Sequence, residues 1–236
     1  MPYDLWYWPS IQGRGEFVRL PLEAAGIEYR DRARDEGAEA LMDDMEARSG
    51  WGAPYAPPYL ADGDFCIAQT AHIVSWLGEK HGFGGESEAE TLGLIQLQLV
   101  VTDIVAEAHD THHPVGTGDY YEDQKDEAKR TAKGFREDRI PKYFDHFEAA
   151  LGIVEGPFVR GATWSHVDTS LFQLVRGLEY AFPKRMTALK ADYPKLHACA
   201  DAVAALPGIA DYLKSDRRIS FNEDGIFRHY PELDAD

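Results

Sequence analysis

The sequence predicts a small α/β unit with a mixed sheet, followed by an all-helical part. Three observations predict it. Residues 3–82 alternate short aromatic or β-favouring runs with helical apolar patterns; GFGGES at 82–87 interrupts the chain with glycines; beyond it every apolar pattern has helical spacing.

The run YDLWYW at 3–8 is a first strand. From Arg14 to Ala25 the positions Phe17, Val18, Leu20, Leu22 and Ala25 mark a helix, with Gly26 at the left-handed C-cap and Pro21 expected to kink it. IEYRD at 27–31 is a second strand, and the acidic stretch 35–56 carries no decisive signal. Tyr59-Leu60 and Phe65 to Ala68 flank Asp62-Gly63 as a hairpin. QTAHIVSWLGEKHG then reads as a helix with Ile73, Val74, Trp76 and Leu77 inward and Gly82 at its end.

Ser87 and Glu90 form a capping box for a long helix reaching His109. A further helical pattern spans Tyr121 to Leu151, kinked at Pro141, and helices cover 166–180, 193–206 and 208–215.

The 236 residues carry 24 basic and 41 acidic side chains, a net charge of −17. That balance opposes broad contact with nucleic acid or an anionic membrane, since both require a positive surface. It leaves room for a small anion held by a few local donors. Cys66 and Cys199 are too few for a disulfide framework. No signal-peptide pattern opens the chain, and no run reaches the roughly 18–20 apolar residues of a membrane span, so a soluble cytoplasmic protein is expected.

Several motifs compete with plainer readings. WSHVD at 164–168 places Ser165, His166 and Asp168 together, but neighbours in a chain cannot aim at one another as a hydrolase triad does. Ser165-x-x-Asp168 is read as a helix cap. His109, His112 and His113 lack zinc-ligand spacing, so no metal is expected. Gly13-Arg14-Gly15 is half of a dinucleotide fingerprint at best and is read as a sharp turn. Cys66 is read as a small buried hydrophobe. Pro57-Pro58 before a hairpin strand suits a cis peptide. Gln69-Thr70 opens a helix either as an anion cradle or by simple Thr70 capping.

Taken together, YDLWYWPSIQGRGEFVRLPLEAAG, APPYLADGDFCIAQTAHIVSWLGEKHG and WSHVDTSLFQLVRGLEY resemble a cytosolic glutathione S-transferase, nearest the tyrosine-type pi, mu and sigma classes. The resemblance implies a thioredoxin-like N-terminal domain at 1–83 that binds glutathione. It also implies an all-helical C-terminal domain at 88–236 with the second-substrate pocket, in a homodimer. It assigns Tyr7, at the end of the first strand, as the catalytic hydroxyl, with Ser10 as the alternative and Arg14 beside it. Glutathione contacts fall to Pro57, the cis Pro58, Gln69 and Thr70, and to Asp103 across a dimer interface. Arg48 and Trp51 lie in the loop that grips the glycyl carboxylate. Trp8, His109 and His113 would wall a pocket for a small apolar electrophile.

The implied reaction is attack by the glutathione thiolate on that electrophile, without metal. The alternatives are a non-catalytic binding or structural relative, and a specialised glutathione-dependent isomerase, lyase or dehalogenase.

Overall fold

The structure, a computed structural model, describes residues 2–235. β1 (Tyr3–Trp6) and β2 (Tyr29–Asp31) pair in parallel, while β3 (Tyr59–Asp62) runs antiparallel to β1 and to β4 (Phe65–Ala68), giving the order β2-β1-β3-β4. The sheet is mixed, as expected. Its alternation sends Leu5 and Leu60 to one face and Trp6 and Tyr59 to the other.

On the first face lie α1 (Glu16–Ala24) and α4 (Thr70–His81), through Val18, Leu22, Ile73, Val74 and Leu77. α1 starts two residues later than expected, after a 3-10 turn at Gly13–Gly15, and continues past Pro21. Pro21 is the sixth of the nine residues of α1 and removes the one N–H that would reach the Phe17 carbonyl, yet the helix runs on to Ala24. The opposite face receives α2 (Arg32–Glu36), which runs into the stretch left without a signal, and α3 (Ala38–Ala47), which lies wholly within it. Their anchors, Ala33 and Leu41, are buried against Trp6 and Tyr59.

The helical part begins with α5 (Glu88–Asp110), where Ser87 accepts from the Glu90 N–H at 3.3 Å. The Glu90 carboxylate accepts from Glu86 N–H instead of closing the expected box. Contrary to expectation, α5 has the length and composition of a membrane span. It carries Leu94, Val101, Ile104 and Val105 into the core.

α6 (Lys125–Gly134) and α7 (Ile140–Ala150) are joined by a π-helical turn, Phe135–Arg139. The irregularity precedes Pro141 because the proline ring crowds the carbonyl four residues back, and a wider turn relieves that clash. α8 (His166–Ala181) is the most buried helix and starts with the predicted cap: Asp168 accepts from Ser165 N–H and hydroxyl, each at 2.7 Å. α9 (Pro183–Leu189), α10 (Pro194–Ala204) and α11 (Pro207–Tyr212) follow. The remaining tail folds back on the body and buries Ile226, Phe227 and Leu233. α1 joins the two parts, because Phe17 and Leu20 enter the helical core while Val18 and Leu22 face the sheet.

Candidate active site

Tyr7 leaves the end of β1 with its side chain only 4% exposed. Two glycines make room for it. A Cβ on Gly13 would stand 2.2 Å from the Tyr7 hydroxyl, and one on Gly15 would stand 2.5 Å from its ring. Gly13 also has φ +45°, a conformation that disfavours side chains. The GRG segment is therefore a turn, as read, and also a seat for the phenol.

The Arg14 backbone N–H donates to the Tyr7 oxygen at 2.9 Å. With its oxygen so engaged, the phenol keeps its own proton to donate, and among the described residues no acceptor takes it. Burial raises the Tyr7 pKa, partly offset by the Arg14 N–H and guanidinium, so the group stays a phenol at neutral pH.

Arg14 also lines a cleft of about 310 Å³ with Phe17, Gln69, Thr70, Leu99 and Thr102. At its floor α4 begins without a side-chain cap. Thr70 Oγ1 is buried without a partner, so simple capping by Thr70 is not what forms. Gln69 is the one non-glycine among the described residues with positive φ, +68°. Backbone strain of this kind costs on the order of 1–3 kcal/mol and persists where surroundings enforce it. Strained backbone, unbonded hydroxyl and the positive end of a 12-residue helix together make a fitting seat for a carboxylate.

The peptide between Pro57 and Pro58 is cis, as the sequence suggested. It directly precedes Tyr59, which pairs with Trp6, so it flanks the strand end from which Tyr7 departs.

Other predicted residues lie elsewhere. Arg48 donates to Asp44 at 2.6 and 3.1 Å and covers the Tyr59 ring, while Trp51 is fully exposed; neither lines the cleft. Asp103 is exposed on α5, one residue beyond Thr102. Ser10 is exposed after Tyr7, its carbonyl accepting from Asn222 at 2.9 Å. Trp8 is partly exposed. His109 and His113 gather with His112 at ring-centre separations of 4.8 to 5.3 Å. Burial lowers all three imidazole pKa values, His112 to about 3. His112 Nε2 lies 2.8 Å from the Ile226 carbonyl of the tail. Cys66 is half-buried rather than buried, beside the Arg48 charge.

Sequence reasoning missed Phe17 and Thr102 in the cleft and Gln12 behind the loop. Phe17 carries a helical-core signal, Thr102 is one of many exposed polar positions of a long helix, and nothing near Gln12 marks its distant partners.

The family described as "Glutathione S-transferase, C-terminal domain" matches residues 109–216. Glutathione S-transferase P 1 of Xenopus laevis is 30% identical over 222 residues, covering 92% of this chain and 93% of its own. Glutathione S-transferase Mu 2 of Rattus norvegicus is 27% identical, covering 93% and 94%. Among solved structures, the Pi-class glutathione S-transferase of Onchocerca volvulus shares the fold with a TM-score of 0.73 at 22% identity, over 94% of this chain and 99% of that one. The chain therefore belongs to the glutathione S-transferase family.

Proposed function

We propose that the protein is a glutathione transferase in which Tyr7 holds the glutathione sulfur as thiolate for attack on an electrophilic small molecule. The observation that carries this reading is the buried Tyr7 phenol, its oxygen bonded by the N–H of Arg14 and its proton free, with Arg14 also lining the cleft at the uncapped start of α4.

A free thiol titrates near ~8.5, and each unit of depression corresponds to about 1.36 kcal/mol. One hydroxyl donating to an ionised sulfur contributes roughly 1.5–3 kcal/mol, enough for about one to two units. Tyr7 acts as donor and not as base, since burial opposes its ionisation. Gln69, Thr70 and the first-turn N–H groups of α4 receive the γ-glutamyl carboxylate, and Pro57 offers its backbone to the cysteinyl unit beside cis Pro58. Arg14, lining the same cleft as Gln69 and Thr70, adds positive charge there. The transferred group needs only placement near the sulfur; in this reading Trp8, His109 and His113 wall its pocket from outside the cleft, His109 close enough to Arg14 for that charge to help lower its pKa.

In this reading residues 1–83 form the glutathione-binding domain and 88–236 the helical domain. The protein works in the cytoplasm as a homodimer, with Asp103 reaching the partner's γ-glutamyl amine. Exposed Leu92 and Leu99 on α5 support a covered face there. A crystal structure with glutathione tests the reading. The sulfur is expected within about 3.5 Å of the Tyr7 hydroxyl; a sulfur against Ser10, or against no hydroxyl, would reassign the role.

A further inference from the structure

Gln12 sits two residues before Arg14, and although only 5% exposed it bonds to nothing local through its side chain. Its Oε1 accepts from Gln173 Nε2 of α8 at 2.8 Å, and its Nε2 donates to the Ile219 carbonyl of the tail. Gln173 in turn accepts from Arg218 at 3.2 Å, and Arg218 pairs with Glu16 of α1. Glu16, wholly buried, accepts from Tyr212 at 2.9 Å and pairs with Arg19 at 3.2 Å. The backbone closes the frame, since the Gln12 carbonyl accepts from Glu16 N–H at 3.0 Å.

Two residues upstream, Asn222 of the tail holds the Ser10 carbonyl. The space left between Gln12, Gly13 and the tail residues Phe221, Asn222, Ile226 and Phe227 is about 10 Å³, too little for the loop to shift into. The loop carrying the Arg14 N–H is thus fixed from outside, by residues 161 to 212 positions away in the chain.

We propose that Gln12 is a positioning residue for the Tyr7 phenol, through which α8 and the C-terminal tail set the acidity of the bound glutathione thiol. The proposal rests on the reading of Tyr7 as thiolate stabiliser. Hydrogen bonds in series polarise one another, so N–H donation to the phenol oxygen strengthens the bond the phenol makes to sulfur. Loosening Gln12 lets the Arg14 N–H drift from the oxygen, and the phenol becomes a weaker donor.

The test is the pH profile of kcat/KM for an electrophile, a nitro-activated aryl chloride, at saturating glutathione. Gln12→Met keeps the volume and removes both amide bonds; Gln173→Met removes the far partner and carries the same prediction should Gln12→Met not fold. Below the thiol pKa, each variant is expected to lose about 3–10-fold, as a rise of half to one pKa unit requires, and to rejoin the parent at high pH. The double variant should lose no more than either single one, and Gln12→Met should be silent in a Tyr7→Phe background. A loss equal at every pH, no loss, or a loss that persists without the Tyr7 hydroxyl overturns the proposal. A parent-like profile for Tyr7→Phe alone would instead overturn the assignment of Tyr7, and the proposal with it.

Discussion

The Tyr7 hydroxyl and the Arg14 backbone amide share a 2.9 Å hydrogen bond in which the amide donates. The bond forms because Gly13 and Gly15 present no Cβ to the ring that lies against them. A phenol so enclosed cannot move without moving the loop.

Gly13→Ala should therefore damage both function and stability. The new methyl would overlap the Tyr7 oxygen at 2.2 Å and strain a backbone at φ +45°. Overpacking and strain together predict a cost of about 1–4 kcal/mol in urea unfolding. Displacement of the hydroxyl predicts at least about a tenfold loss of kcat, the equivalent of one 1.4 kcal/mol contact.

Gln69→Gly separates the binding strain from the fold. Glycine accepts φ +68° without a Cβ penalty, so the melting temperature should hold or rise despite the added chain entropy. The lost side chain should raise KM for glutathione several-fold, with kcat at saturation nearly retained. A KM equal to the parent's would remove Gln69 from the γ-glutamyl seat.

Ser165→Ala tests the cap against any catalytic role for WSHVD. Asp168 lies fully buried and accepts from Ser165 and from Val159 N–H at 2.8 Å, with the Cys199 thiol at 3.4 Å. Loss of the cap is expected to cost roughly 0.5–2 kcal/mol by denaturant unfolding and to leave kcat unchanged.

Stability should fall on mild acidification through His166. This imidazole is 1% exposed, with Nδ1 3.1 Å from Gln98 Oε1, and burial depresses its pKa from 6.5 to about 4. The unfolded chain then binds the proton more readily than the fold between those values. Its contribution is present above pH 6.5 and declines as pH falls toward 4, by up to about 3 kcal/mol. Urea titrations of parent and His166→Gln across pH 4–7 should show a shallower decline in the variant.

Local chemistry made much of this architecture legible from the residues. Gly82 takes φ +84° after α4, the hairpin turns at Gly63, and Ser165 and Asp168 cap α8, each through contacts within a few positions. The cis bond before Pro58 belongs to the same class, whereas Tyr7 is singled out by the family resemblance and not by its local chemistry. What escaped depends on distance in sequence. The pairing of Gln12 with Gln173 spans 161 residues, and the tail is held by partners as far apart as His112 and the Ser10 carbonyl, 114 and 212 positions away. α3 escaped because Leu41 is its sole buried anchor, leaving no periodic stripe to read. Arg48 shows the reverse: a cation placed in a ligand loop by resemblance has found Asp44 instead.

The most direct measurement is the absorbance titration of thiolate in enzyme-bound glutathione, for the parent and for Tyr7→Phe. The parent is expected to titrate about one to two units below ~8.5, and the variant to return most of that depression while binding glutathione nearly as well. An identical titration in both proteins would contradict the role given to Tyr7.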